Sequence, residues 1–266
     1  MYNRHYAERY NINSFRQDNA ADRLIRLANI KRNDTIIDIG CGSGGMIKKL
    51  RRHTNQLIVG IDSSQDMIRL AKIRATKQRN VEFRCEAIER LSAKGQFNLA
   101  ISNSAFHWFN NHDEAIKNIY RALKNNGRFI MQVPGKKSWC PQITDVLESV
   151  QKLPDMRQIA KHYKSPWTYY EKEEAYISLF ESIGFIVEHC KLKKFTFDAN
   201  FEQIIKIFHS GSSAAYFNKR NYNCSVNNCY FQLFEQHFMN KVKATLTNNN
   251  KQLTFYRLFL LARKNR

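Results

Sequence analysis

Short apolar runs rich in β-branched residues alternate with stretches of helical period through the first half of the chain. TIIDI (35–39), LIVGID (57–62), VEFRCE (81–86), FNLAIS (97–102) and RFIMQV (128–133) read as strands. Helices are expected near 43–53, 64–78 and 111–124. The last carries Ile116, Ile119, Tyr120 and Leu123 on one face and stops at KNNG. Before the first strand, Ser14 can cap a helix that turns Ala21, Leu24, Ile25 and Ala28 inward. Near-continuous apolar strands between helices imply a mostly parallel sheet covered on both faces.

The second half is less regular. A helix near 171–183 ends at Gly184 and leads into FIVEHCKLKKFTF (185–197), a strand, and LTFYRLFLLAR (253–263) reads as the final one. Two blocks interrupt this order. Residues 135–170 are rich in aromatics and lysine, and 198–250 contain the apolar helix candidate NCYFQLFEQHFMNKVKATL. Insertions there sit at strand ends, where open α/β sheets bind ligands. The expectation is one domain over 1–266. Its core comprises 14–134 with 171–197 and 253–263, and its cap insertions are 135–170 and 198–250.

At 266 residues, 43% hydrophobic and 12% aromatic, the chain can bury a proper core. It holds no 18-residue apolar run, so no membrane span is expected. The stretch MYNRHYAERYNINSFRQ lacks the apolar centre of a signal peptide. Six cysteines (41, 85, 140, 190, 224, 229) form no CxxC pair and have no histidine at zinc spacing. Free thiols in a reducing cytoplasm, and no metal, are expected. The net charge is +20, split +11 over residues 1–134 (23 basic, 12 acidic) and +9 over 135–266 (20 basic, 11 acidic). Denser spots occur at Lys48, Lys49, Arg51, Arg52 and at Arg69, Lys72, Arg74, Lys77, Arg79. Charge alone does not choose between solvated helix faces and attraction of an acidic partner, whether nucleic acid or protein.

Four of the ten glycines fall between 40 and 45, in DIGCGSGG. Such a cluster lets the backbone approach something closely. The loop fits a dinucleotide GxGxxG only loosely and is no phosphate loop. Asp38, inside the strand end, repels phosphate but suits a cation such as an ammonium or a sulfonium. The next strand ends at Asp62, 24 residues beyond Asp38, a spacing that places a carboxylate beside the glycines to take both ribose hydroxyls. Met67, one turn into the following helix, can cover a purine face.

On these motifs the first 135 residues resemble the class I S-adenosylmethionine-dependent methyltransferases. DIGCGSGG resembles that family's first motif and GIDSS its ribose-binding acid. FNLAISNSAFHWFNNHDEAIKNIYRALKNNGRFIMQVPG and the closing LTFYRLFLLAR are similar to a subgroup of carboxylate-esterifying enzymes: the trans-aconitate, malonyl-carrier-protein (biotin pathway) and juvenile hormone acid methyltransferases. The resemblance implies a Rossmann-like, doubly wound, mostly parallel seven-stranded sheet with an antiparallel last strand and helical cap insertions. It also implies S-adenosylmethionine as cofactor, leaving as S-adenosylhomocysteine. Carried over, Gly40, Cys41, Gly42 and Gly44 pass the methionine part, and Asp38 sits near its ammonium. Asp62 takes the ribose, and Ser63 and Met67 flank the adenine. Where the family usually has an acid and an apolar residue, this chain has Ala87 and Ile88, with Glu86 one place early. Asn103 and Ser104 line the methionine end, and Tyr10, Arg16 and Gln17 close over the cofactor carboxylate. His107, Trp108, Trp139 and Trp167 face the substrate.

Methyl transfer from a sulfonium is an in-line displacement, and a carboxylate nucleophile, ionised at neutral pH, needs no general base. A hydroxyl or amine usually does. His107 is the only titratable residue of the strand-four motif, a packing residue or a base. SNSAFHW also lacks the [DNS]PP[YF] tetrad of nucleic-acid amino-methylating enzymes. Trp139, Tyr163, Trp167, Tyr169 and Tyr170 can roof a pocket, and Lys136, Lys137, Arg157, Lys161 and Lys164 can hold an anion. The expected function is carboxyl O-methylation of a small acid or of an acid on an acidic carrier protein. An RNA methyltransferase and a cofactor-binding pseudo-enzyme are the alternatives.

Overall fold

The computed structural model describes residues 17–246 and 252–265. The chain runs α1 (Gln17–Ala28), β1 (Ile36–Ile39), α2 (Ile47–Arg51), β2 (Ile58–Asp62), α3 (Gln65–Arg74), β3 (Val81–Cys85), β4 (Phe97–Asn103), α4 (His112–Ala122) and β5 (Leu123–Pro134). It continues through α5 (Pro141–Gln151), α6 (Arg157–Ala160), α7 (Glu173–Glu181), β6 (Phe185–Asp198), α8 (Phe201–Ile207) and a π turn at Phe208–Ser212. Then come α9 (Ser213–Tyr216), α10 (Asn228–Leu246) and β7 (Gln252–Lys264). Ser14, the expected cap, lies outside the described residues.

The seven strands form one sheet in the order β3-β2-β1-β4-β5-β7-β6. β1 to β5 pair in parallel, and β7 runs antiparallel between β5 and β6. Every residue of β1 is buried, because helices cover both faces. One apolar cluster joins α4 and α7 to the sheet and another joins α1 and α2. Chain order reverses between β1 and β4, so the carboxyl ends of these two strands frame a crevice.

KNNG, expected to end a helix ahead of a strand from 128, lies inside β5. The pairing jumps from Phe97↔Leu123 to Leu99↔Arg128, and Asn126 within the jump takes φ 58°. It is an irregularity at the start of one continuous strand. Buried Arg128 then ties the sheet to α1: it donates to the Asp34 carboxylate and to the Ala28 and Asn29 carbonyls.

β6 and β7 have 14 and 13 residues, against four to seven in β1–β4. The added length carries Phe197, Leu253 and Phe255 beyond the sheet core, into a separate cluster with α5, α8 and α10. Within it Phe208 stacks on Phe238 at 4.4 Å and Tyr216 on Phe234 at 5.2 Å. Both insertions thus pack together as one helical cap. Part of the basic surface is internal scaffolding: Arg51 donates to the Thr54, Gln56 and Asn80 carbonyls, Arg74 to Ser43 Oγ, and Lys49 pairs with Asp22. No described helix is long and apolar enough to cross a membrane.

Candidate active site

The strands that frame the crevice end in unlike turns. After β1, Gly40, Gly42 and Gly44 take φ +68°, +54° and +78°, the left-handed region that glycine enters without strain. At Gly40 a side chain also has no room, since a Cβ would stand 2.2 Å from that of Ala105. β4 turns instead at Ser104, a serine at φ 57°. Its N–H donates to the Gln132 carbonyl at 2.8 Å, and the Gln132 side-chain amide donates to Asn103 Oδ1 at 3.0 Å and to Ser104 Oγ. A left-handed serine costs on the order of 1 kcal/mol, so a strained residue is held at the crevice by its neighbour strand.

Two carboxylates meet there in opposite circumstances. Asp62 Oδ2 accepts the Gly42 N–H and Oδ1 the Ser64 N–H, each at 2.9 Å. Burial raises its pKa and these donors oppose the rise. Asp38 is 1% exposed, and neither oxygen has a hydrogen-bond partner. Burial, and then the charge of Asp62, push its pKa from 3.8 to about 7. Burial, then the charges of Asp38 and Asp62, push the Cys41 thiol up.

A cavity of about 610 Å³ opens over this edge. Of the residues expected around a cofactor, Gly40, Gly42, Asp62, Ser63, Met67, Glu86, Ala87, Ile88, Asn103 and Ser104 line it. Asp38, Cys41 and Gly44 are not on its wall; Gly44 packs against Ala71. Tyr10 and Arg16 lie outside the described residues, and Gln17 opens α1.

The same cavity continues beneath the cap, where His107, Trp108, Trp139 and Trp167 all line it. Trp108 meets Trp167 edge to face at 5.4 Å, and His107 stacks on Tyr169 at 6.0 Å. Two bonds tie the loop after β4 to the first insertion. The Thr168 N–H donates to the His107 carbonyl at 3.1 Å, and the Tyr170 hydroxyl donates to His112 Nδ1 at 2.7 Å. One neutral tautomer serves His112, whose Nε2–H donates to the Phe106 carbonyl at 2.9 Å. His107 is buried with Nδ1 unpartnered. Burial, with the positive charge of Arg257 and then His112, pushes its pKa down to about 3.

The cations expected to meet an anion are elsewhere. None of Lys136, Lys137, Arg157, Lys161 and Lys164 lines the cavity. Lys136 instead stands over the Tyr256 ring at 5.1 Å, and Lys161 donates to Gln158. Tyr163 and Tyr170 also lie off the wall, whereas Tyr169 is on it. Arg257 and Arg220 line the cavity, and neither was expected. Arg257 gets there because β7 is antiparallel, which sets it opposite Pro134 at the end of β5. Its signal in the sequence is a charge in the middle of the final strand, whose other charges, Arg263 and Lys264, stand at its end.

A family profile described as "Methyltransferase domain" matches residues 30–179. Over 101 residues the chain is 39% identical to a malonyl-[acyl-carrier protein] O-methyltransferase of Priestia megaterium, covering 38% of this chain and 36% of that protein. Over 164 residues it is 27% identical to the protein of that name in Bacillus cereus, covering 60% and 59%. The matched part thus spans between about a third and three fifths of these relatives' length. The solved structure of the YcgJ protein of Bacillus subtilis superposes with a TM-score of 0.62 at 16% identity, over 94% of this chain and 99% of that one, a likeness of fold. With the profile spanning more than half of the chain, the glycine loop after β1 and the acid ending β2 take their place in a known architecture: the chain belongs to the methyltransferase domain family, as a class I S-adenosylmethionine-dependent methyltransferase.

Proposed function

We propose that the enzyme methylates a carboxylate oxygen, on a small acid or on an acid carried as a thioester by an acidic carrier protein. The observation behind this is His107. It is buried with Nδ1 unpartnered, and burial together with the nearby Arg257 charge pushes its pKa well down, so the ring is neutral at physiological pH and a weak base toward a hydroxyl or an ammonium. A carboxylate, with a pKa of about 4, arrives already ionised. Arg257 brings a guanidinium to a cavity whose lining includes Trp108, Trp139, Trp167 and Phe255. A charge-assisted bond to carboxylate is the use such a group has in an apolar setting.

The opposite half of the cavity fits the donor. Asp38, buried off the wall and without a partner, suits the donor's ammonium by its charge rather than by lining the cavity, and Asp62, which does line it, keeps a free lone pair on each oxygen for ribose hydroxyls. Gly40 and Gly42 admit the methionine part, with Asn103 and Ser104 at its end, and Met67 and Ile88 flank the adenine. Glu86 and the Ile88 N–H stand where the usual adenine-binding acid is missing at Ala87. When bound, S-adenosylmethionine supplies an electrophilic methyl on a sulfonium, whose C–S electron pair stays on sulfur in the product S-adenosylhomocysteine. The protein contributes placement and exclusion of water: Arg257 holds the acceptor oxygen, the tryptophans keep the site dry, and no proton changes hands. The names of the Priestia and Bacillus relatives agree with a malonyl carrier-protein acceptor. The +20 charge would steer an acidic carrier inward.

The test is to incubate the enzyme with methyl-labelled cofactor and, in turn, small dicarboxylic acids, a malonyl-loaded carrier protein and tRNA. A carboxyl ester releases labelled methanol in mild alkali. Base-stable label on any acceptor overturns the proposal.

A further inference from the structure

Gly211 sits in the π turn Phe208–Ser212, at the cavity wall under the cap. Its φ is outside the left-handed region, and a Cβ built there would meet no heavy atom within 4 Å. Neither backbone geometry nor packing requires glycine, and within helical structure glycine is weaker than alanine. What it provides is space. Ser210, Ser212 and Ala214 beside it are also short, so the cap wall is low where the facing wall is aromatic. Isolated π turns are frequent at functional sites.

Arg220 lines the rim of the same cavity and is exposed to solvent. Among the described residues no acidic side chain pairs with it, and the acids on the cavity wall (Asp62, Glu86, Glu89) belong to the cofactor half. Its backbone is held. The Arg220 N–H donates to Asn218 Oδ1 at 3.1 Å, Asn221 Nδ2 donates to the Ala215 carbonyl at 2.8 Å, and the Lys164 N–H donates to the Asn221 carbonyl at 2.7 Å. A fixed turn thus presents a guanidinium at the exit of a cavity that already holds Arg257 deeper in.

Resting on the carboxylate acceptor argued above, we propose that Gly211 and Arg220 form an outer acceptor subsite. The acceptor's chain passes through the gap at Gly211, and a second anionic group meets Arg220. The enzyme therefore selects acceptors with two anionic groups joined by an extended chain. The second group is a carboxylate in a free diacid, or a phosphodiester in the prosthetic arm of a carrier protein.

Binding measured by calorimetry on the whole chain, saturated with S-adenosylhomocysteine, tests this without turnover. The probes are α,ω-dicarboxylates of four to ten carbons with their matching monocarboxylates, and malonyl-phosphopantetheine with malonyl-pantetheine lacking the phosphate. The wild type should bind the two-anion member of at least one pair tenfold or more tightly than its partner. The pair that shows the preference identifies the source of the anion. Arg220→Gln should abolish the preference while leaving the one-anion probes unchanged, and Arg220→Lys should restore part of it. Gly211→Leu should weaken the longer probes tenfold or more and spare the shortest, with Gly211→Ala a milder step should the leucine variant fold poorly. Absence of any preference, or equal losses for one-anion and two-anion probes in Arg220→Gln, overturns the subsite. Base-stable product label would instead sink the carboxyl acceptor and leave these binding ratios standing.

Discussion

Asp38 lies one residue inside the end of β1 and Asp62 ends the neighbouring parallel strand β2, yet each Asp62 oxygen accepts a backbone N–H while neither Asp38 oxygen accepts anything. Within one small region the fold supports the first charge and leaves the second in a desolvated place beside it. Asp38 therefore titrates near 7, and the charge of Asp62 adds to the effect of burial. A ligand cation next to Asp38 relieves both penalties. Such an arrangement accumulates at a binding site because the empty protein bears a cost that the ligand removes.

Asp62→Ala should weaken binding of S-adenosylmethionine or S-adenosylhomocysteine by about 1.5–3 kcal/mol, the scale of lost hydrogen bonds to a charged group. It also deprives the Gly42 N–H of its acceptor, so the loop loosens. Calorimetry giving equal affinity in wild type and variant would remove Asp62 from the ribose position.

Asp38→Asn should discriminate between parts of the ligand. The variant should bind S-adenosylhomocysteine tenfold or more weakly, yet bind 5′-methylthioadenosine, which lacks the ammonium, as the wild type does. Equal losses for the two would place Asp38 away from the amino-acid end.

The pair Arg128–Asp34 bears on stability and not on the site. Both side chains are buried, and Asp34 Oδ2 also accepts the Lys31 N–H at 2.8 Å, so the pair fastens the end of α1 to the entrance of β1. Removing one member strands the other in the interior. Arg128→Ala should cost about 3–5 kcal/mol in urea unfolding, with cofactor affinity retained in the folded fraction. A change under 1 kcal/mol would show that water replaces the guanidinium freely.

What the sequence disclosed follows from the range of each interaction. Glycines at left-handed φ and an acid at a strand end act within a few residues, so the turn over Gly40–Gly44 and the acids near the ends of β1 and β2 were legible as local structure, as was the helix 228–246, whose observed bounds coincide with the apolar stretch. Arg257 was not, because it reaches the cavity only through the antiparallel pairing of β7 with β5, 123 residues away at Pro134. Lys136 and Lys161 sit among the first insertion's aromatics in sequence yet off the cavity wall, because proximity in sequence does not aim a side chain. Gly211 and Arg220 acquire meaning only once the second insertion folds over the first. The strain at Ser104 is likewise invisible until Gln132 is placed beside it.

Two buried groups should impose opposite pH dependence on the empty enzyme. His107 titrates at about 3 in the folded chain and near 6.5 unfolded. Between these values the unfolded state binds the extra proton, so this residue makes stability rise with pH. Asp38 titrates at about 7 folded and 3.8 unfolded. There the folded state holds the extra proton, so stability falls as pH rises. From about pH 4 to 6.5 the two contributions cancel, each slope being at most about 1.4 kcal/mol per pH unit. Relative to wild type, Asp38→Asn should therefore tilt stability upward with pH over that window, and His107→Gln should tilt it downward. Saturating cofactor, by pairing Asp38 with an ammonium, should tilt the wild type as Asp38→Asn does. Urea unfolding at pH 4.5, 5.5 and 6.5 with and without cofactor reads all three. Tilts of the same sign in both variants would mean that at least one group is not buried in the state assigned to it. If the fault lay with His107, the case against a general base would fall with it.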